Sequence, residues 1–302
     1  MAAVTAEQVR ELRDKTGAGM MDCKKALAES QGDMEKAVDF LRKAGMASAA
    51  KKAGRLASEG LVEIVREGNV AAMVEVNCET DFVGKTEDFQ NFLKQLTQEV
   101  AQHKPADLEA LLKHNFQSQG KPVEVVVQEM VGKIGENISV RRFSLLQAGQ
   151  GEQFGAYLHM GNKIGAIVKA KGDPAKLKEE ALKDVAMHVA AAIPRYVRKE
   201  QIPAEEKAKE KEIYLAQMKD SGKPAEILEK IVEGKLAKYA ADVCLEDQIF
   251  IKDPTGKKSV SKYLQEIDPS AKIVEFVRYQ VGEGLAKKEE DFAAEVAKQL
   301  GK

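Results

Sequence analysis

The sequence predicts an α+β fold, and three patterns carry that expectation. Apolar residues recur at helical spacing through the first 45 positions, alternate from about Leu61, and return to helical spacing near Glu87. A strand–strand–helix–strand order then occurs twice, the second time with two long charged helices inserted before its last strand. Sequential hairpins with helices on one side point to antiparallel sheets. The expected architecture is a small N-terminal three-helix bundle, a duplicated antiparallel-sheet core with flanking helices, and an inserted helical hairpin.

The N-terminal helices are read from their ends. Thr5 and Gln8 form a capping-box pair, with Val4 and Val9 at the hydrophobic-staple positions, so a helix is expected over Ala6–Lys15 and Gly17 ends it. A second helix starts at Met20 or Met21, runs to about Ser30 and is stopped by Gly32. Asp33 caps a third, which turns Ala37, Val38, Phe40 and Leu41 inward and stops at Gly45. Glycine just past a helix supplies the left-handed residue that closes it. Residues 46–58, rich in Ala and Lys, read as a separate linking helix. Met20 and Met21 fit either a small core or an adaptable contact surface.

In the core, Leu61–Arg66 and Val70–Val76 flank Glu67-Gly68-Asn69 as a hairpin. A helix follows over Glu87–His103 with Phe89, Phe92, Leu93, Leu96 and Val100 on one face. Another covers 123–132 and leads to a strand at Ile138–Leu146. The second hairpin pairs Phe154–Leu158 with Ile164–Ala170 across Gly161-Asn162; a helix over 175–192 and a strand at Ile273–Val281 complete the repeat. Helices over 204–219 and 225–242 form the insertion. Ile227, Leu228, Ile231, Val232, Leu236 and Tyr239 line the second arm, and each arm is about 25 Å long at ~1.5 Å per residue. Such a hairpin projects as an antiparallel coiled coil.

Composition removes several function classes. The 302 residues carry 47 Lys plus Arg against 48 Asp plus Glu, a net charge of −1; a protein that works by neutralising phosphates shows a basic excess. Cys23, Cys78 and Cys244 are scattered and form no CxxC, so a disulfide framework is not expected and a reducing cytoplasm fits. The N-terminus has no apolar core of a signal peptide, and no run of about 18 apolar residues spans a membrane.

Catalytic motifs fail on inspection. Val83-Gly84-Lys85-Thr86 resembles the end of a phosphate-binding loop, but Glu79 stands where that loop needs its first glycine and would repel phosphate. Gly17-Ala18-Gly19 lacks the third glycine of a dinucleotide fingerprint, because position 22 is Asp22. His103, His114, His159 and His188 form no HExxH and no Cys/His cluster, so no metal site is expected. His188, on an Ala/Val-rich face, reads as a satisfied structural histidine. Cys23 has no activating histidine. No acid, base and nucleophile come together; the chain is expected not to be an enzyme and to need no cofactor.

One segment breaks local rules. After the apolar strand ending at Val76 comes Asn77-Cys78-Glu79-Thr80-Asp81-Phe82-Val83-Gly84. Two readings stand: Phe82 folds back onto the sheet while Thr80 or Asp81 caps a helical turn, or Phe82 protrudes as an anchor for a partner's pocket. Interfaces concentrate binding energy in such aromatic residues.

At these residues the chain resembles a known family. Leu12-Arg13-Asp14-Lys15-Thr16-Gly17-Ala18-Gly19-Met20-Met21-Asp22-Cys23-Lys24-Lys25-Ala26-Leu27 is similar to the N-terminal motif of bacterial elongation factor Ts. Glu75–Val83 (EVNCETDFV) is similar to its second motif. Lys133–Ile138 (KIGENI), Val232-Glu233-Gly234 and Val281–Leu285 (VGEGL) also resemble it. The likeness covers essentially the whole chain in order. Gly84 departs from it, since the family more often carries a small residue with a β-carbon there.

The resemblance implies a guanine-nucleotide exchange factor for elongation factor Tu, in its GDP-bound and nucleotide-free forms, with no direct nucleic-acid or membrane partner. It implies a three-helix ubiquitin-associated-like (UBA-like) domain with linker over 1–55 and a core N-subdomain over 56–147. It implies a core C-subdomain over 148–192 and 245–285, a coiled-coil insertion over 193–244 and a C-terminal helical module over 286–302, with Phe292 and Val296 on one side of the last. Thr80, Asp81, Phe82 and Val83 are implied to displace the partner's Mg²⁺ from outside. Arg13, Met20, Met21 and Lys24 are implied to contact the same GTPase domain, and Ile134, Gly135 and His159 the partner's other domains. A ribosome- or RNA-associated factor and a non-catalytic scaffold are the other classes in view.

Overall fold

A computed structural model of the chain describes residues 4–218 and 224–286. Three helices open it: α1 (Ala6–Thr16), α2 (Met20–Glu29) and α3 (Met34–Lys52). Then come β1 (Glu59–Glu67), β2 (Val70–Cys78), the short α4 (Asp81–Gly84), α5 (Glu87–His103) and α6 (Leu108–Lys113). The two-residue strands β3 (Asn115–Phe116) and β4 (Lys121–Pro122) precede α7 (Val123–Ile134) and β5 (Ile138–Gln147). The remainder is β6 (Glu152–His159), β7 (Ile164–Lys171), α8 (Glu179–Ala192), α9 (Ala204–Met218), α10 (Ala225–Val243), α11 (Val260–Ile267) and β8 (Lys272–Gln280). The fold is mixed α+β with small sheets. The C-terminal helix expected over 286–302, with Phe292 and Val296, lies outside the described residues from 287 on, as does most of the turn between α9 and α10.

The chain divides into two compact units, one of residues 1–65, 72–143 and 280–302 and one of 66–71 and 144–279. A three-stranded sheet orders its strands β1-β2-β5, and another orders them β6-β7-β8. In both, the third strand lies beside the second strand of a hairpin. β6 and β7 are antiparallel, in register from Glu152 opposite Lys171 to His159 opposite Ile164.

The bundle forms as its ends dictate. Thr5 and Gln8 make a reciprocal capping box, and Gly17 closes α1 at φ 65°. Leu12, Cys23, Ala26, Leu27 and Ala37 form its buried centre, with Val4, Val9, Phe40 and Leu41 packed around them. Gly45 does not stop α3. The helix continues to Lys52, absorbing the first part of the expected linking helix. Gly45 serves packing instead: α3 lies against α7, and a β-carbon placed on Gly132 would sit 2.9 Å from the Gly45 Cα. Two glycines let the helix backbones approach more closely than side chains permit.

Within the same unit, α5 lays Phe89, Phe92, Leu93, Leu96 and Val100 into the interior. A buried carboxylate fastens the segment after β8 to the sheet. Glu75 on β2 is fully buried and accepts from Arg141 (2.9 Å), Arg142 Nε (2.6 Å) and the Gly282 N–H (2.9 Å). Gly282 is at φ +71°, and a β-carbon there would strike the Ser58 carbonyl oxygen at 2.2 Å, so only glycine fits this crossing.

In the second unit, α8 buries Leu182, Val185, Ala186 and Val189 against β6 and β7 in a cluster completed by Phe250, Leu264 and Ile273. Gly155 on β6 meets α8 so closely that a β-carbon would fall 2.1 Å from the Leu182 carbonyl carbon. His188 is the structural histidine its setting predicts: Nε2 lies 3.0 Å from Gln248 Oε1, and Nδ1 accepts from the Ile251 N–H at 3.1 Å. At the root of the α9–α10 hairpin, Glu206 receives the Tyr196 hydroxyl (2.8 Å), Arg195 (2.8 Å) and the Tyr239 hydroxyl. Burial, first, and then the bond to Glu206 push the Tyr239 phenol up to about 12. Among the described residues no helix is long and apolar enough to cross a membrane.

Candidate partner-binding surface

The segment that breaks local rules is a hydrogen-bonded knuckle. β2 ends at Cys78, and α4 begins three residues later. Thr80 occupies the position before α4 without capping it, because its hydroxyl is engaged elsewhere. Glu136 Oε1 accepts that hydroxyl at 2.6 Å, and Oε2 accepts the Thr80 and Glu79 N–H groups at 2.9 and 3.1 Å. Glu79 answers by accepting the Asn137 N–H at 2.6 Å. Asn137 in turn donates its amide to the Arg55 carbonyl at 2.8 Å. Charge-assisted bonds of this kind are about twice as strong as neutral ones.

On this base Phe82 stands outward, 75% exposed. It does not fold back onto the sheet. Its immediate neighbours are polar: Lys85 pairs with Asp81 at 2.5 Å and lies 5.3 Å from the Phe82 ring centroid. Val83 points the opposite way and is buried. The short helix thus separates an apolar foot, Val83, from an apolar tip, Phe82.

Ile134 and Gly135 sit directly before the anchoring Glu136. Gly135 ends α7 at φ 87°, which turns the chain so that Glu136 meets the knuckle; Gly135 is exposed and Ile134 half-buried. Arg13 and Lys24 are exposed on α1 and α2. Met20 and Met21 are exposed at the start of α2 rather than in the bundle's core. The loop before them is placed by Lys133, which crosses over Gly17 so closely that a β-carbon there would lie 2.8 Å from its Cε. Lys133 ends on Asp88 of α5 at 2.7 Å. In the other unit His159 is exposed at the end of β6, its Nδ1 2.8 Å from the Tyr157 hydroxyl.

Compared with protein-family profiles, residues 79–283 match the family described as Elongation factor TS. The chain belongs to the elongation factor Ts family. Membership makes it a translation elongation factor of a family that interacts with elongation factor Tu and acts by exchange rather than covalent chemistry. The matched stretch contains Thr80–Val83, Ile134, Gly135 and His159, and begins after Arg13, Met20, Met21 and Lys24.

Two features of this elongation factor Ts chain were hidden in its sequence. Glu136 acts on Thr80 from 56 residues away, a pairing no local pattern announces. Nor did the sequence motifs announce that, among the described residues, Glu99, His103 and His114 bring their ligand atoms within 4.8 Å of one another. His114 reaches α5 only because α6 turns the chain back.

Proposed function

We propose that the chain is a guanine-nucleotide exchange factor that binds GDP-bound elongation factor Tu, disturbs its Mg²⁺ and phosphate site, and promotes GDP release during translation elongation in the cytoplasm. The observation that carries this reading is Phe82, exposed on a short helix whose base is fixed by Glu136. The backbone beneath this aromatic is already tied to Glu136, so less chain entropy is lost when it inserts.

Exchange follows from linkage. A factor that binds the nucleotide-free GTPase more tightly than the GDP-bound one weakens GDP by the same ratio. In this reading Asp81 and Phe82 wedge between two helices of the GTPase domain, and Thr80–Val83 shift the magnesium site without ligating the ion. Arg13, Met20, Met21 and Lys24 hold the same domain, and Ile134, Gly135 and His159 hold the partner's other domains. The division follows: a UBA-like domain over 1–55, core subdomains over 56–147 and over 148–192 with 245–285, a coiled-coil insertion over 193–244 and a C-terminal module over 286–302. The near-zero net charge, −1, suits a protein surface as target rather than RNA.

The test is release of fluorescent GDP from elongation factor Tu with catalytic amounts of the chain. Acceleration is expected for the native chain, and a loss of about tenfold or more for Phe82→Ala, since an anchor of this kind contributes ~2 kcal/mol or more. The thermal midpoint should stay within a degree or two of native. Binding without acceleration, or full acceleration by Phe82→Ala, overturns the reading.

A further inference from the structure

We infer that Glu99, His103 and His114 form a binding site for one divalent transition-metal ion, zinc by preference. Glu99 and His103 are four residues apart on α5 and therefore share a face. His114 arrives at the end of α6. Glu99 Oε2 lies 3.2 Å from His103 Nε2 and 3.1 Å from His114 Nε2. Zinc bonds to such ligands are ~2.0–2.1 Å, so the edge of a zinc tetrahedron is about 3.3 Å. The carboxylate oxygen thus stands from both imidazole nitrogens at close to a tetrahedral edge.

The surroundings are organised for that geometry. Glu99 is only 7% exposed, and its other oxygen, Oε1, accepts the Gln117 N–H at 3.0 Å. Metal-binding carboxylates are oriented by such outer hydrogen bonds. The two imidazole rings are 4.4 Å apart between centroids, with both Nε2 atoms turned toward the same carboxylate.

The Gln117 side-chain amide lies 2.7 Å from His103 Nε2, and its oxygen, turned to that place, is a further neutral donor to an ion.

The donor set selects the metal. Two imidazoles with one carboxylate suit zinc, cobalt, nickel or copper; magnesium and calcium take oxygen ligands. Three protein ligands leave room for water or Gln117 in the fourth position. The ion would clip the end of α5 to the segment 114–117. This inference concerns a site separate from the knuckle residues and does not depend on the exchange reading.

The experiment is a calorimetric zinc titration of the full chain without a histidine tag, alongside His103→Gln, His114→Gln and the double variant. One zinc per chain is expected. The double variant should bind more weakly by more than the ~10–100-fold that loss of an outer hydrogen-bond partner costs. Cobalt added to the unaltered chain should give the intense visible bands of four-coordinate cobalt, a readout that needs no substitution. Zinc should raise the melting temperature of the native chain and leave the double variant unmoved. No saturable zinc binding, equal zinc affinity in the double variant, or a cobalt spectrum of the weak six-coordinate type overturns the proposal.

Discussion

Glu136 holds Thr80 by both its backbone and its side chain, accepting the N–H at 2.9 Å and the hydroxyl at 2.6 Å. A carboxylate at the end of α7 thereby sets the direction of Phe82, two residues beyond Thr80. Glu136→Ala leaves the Glu79 and Thr80 N–H groups without their acceptor, a cost of ~1–3 kcal/mol. If the loosened knuckle presents Phe82 correctly a tenth of the time, apparent affinity for the partner drops about tenfold. Stimulated GDP release should slow accordingly. In a Phe82→Ala background the same change should have little further effect on exchange, since both substitutions remove one function. Additive losses would show that Glu136 acts by another route.

The buried Glu75 gives a prediction about stability. It balances Arg141 and Arg142 and accepts the Gly282 N–H that pins the segment after β8. Removing the carboxylate leaves two partly exposed arginines that keep bonds to Gln280 and Glu283, so the cost falls below the ~3–5 kcal/mol of a fully buried pair. Glu75→Ala should lower the free energy of unfolding by ~1–3 kcal/mol and move the urea midpoint to lower concentration, with a decreased m-value if the 280–283 segment detaches in the native state. An unchanged midpoint would mean that water replaces the carboxylate without loss.

What the sequence discloses depends on whether a feature is local. α5 has the bounds its pattern predicts, because Thr86 caps it and five apolar residues fall on one face. Both hairpins were legible from Gly68-Asn69 and Gly161-Asn162. Gly45 was misread because glycine has two uses, closing a helix and admitting a neighbouring backbone, and only Gly132 decides between them. α6, β3, β4 and α11 were missed because segments of two to eight residues hold too few periods to stand out. At the site, Phe82 could be flagged as an aromatic in a polar loop, but its anchor Glu136 could not. Glu99 and His103 are readable as a helical pair; His114 joins them only through the tertiary fold.

Two glycines should respond to alanine with opposite signs. Gly132 lies in the last turn of α7, where alanine alone would gain at most ~1 kcal/mol, yet its β-carbon would meet the Gly45 backbone at 2.9 Å. Overpacking of this kind costs ~1–3 kcal/mol, so Gly132→Ala should destabilise and separate α3 from α7. At Gly84 the nearest atom to an added β-carbon is Leu61 Cγ at 3.5 Å, an ordinary contact. Gly84→Ala should stabilise by ~0.4–1 kcal/mol by restricting the unfolded chain, with exchange unchanged. Thermal melts of the two variants decide it: equal signs would refute the packing argument at one of the sites.

His188 makes the second unit sensitive to acid. Gln248 donates its amide to the Asp242 carbonyl at 2.7 Å and the Ala192 carbonyl at 3.3 Å, so its Oε1 faces His188 Nε2 and fixes the proton there. Nδ1 is then the acceptor for the Ile251 N–H, and protonating it breaks that bond. Burial in the unit's core holds the imidazole below its ordinary value of 6.5. The unfolded chain therefore takes up a proton near that value, while the folded chain does so only at lower pH. Between the two, the unfolded state binds more protons, and stability falls as pH drops, by at most ~1.4 kcal/mol per pH unit for one group. Denaturant unfolding of the native chain should show this slope below about pH 6.5. His188→Gln should be less stable at neutral pH, because it loses the imidazole's packing against Phe250, but should lack that part of the slope. Parallel pH profiles for the two proteins would assign the acid sensitivity to other groups.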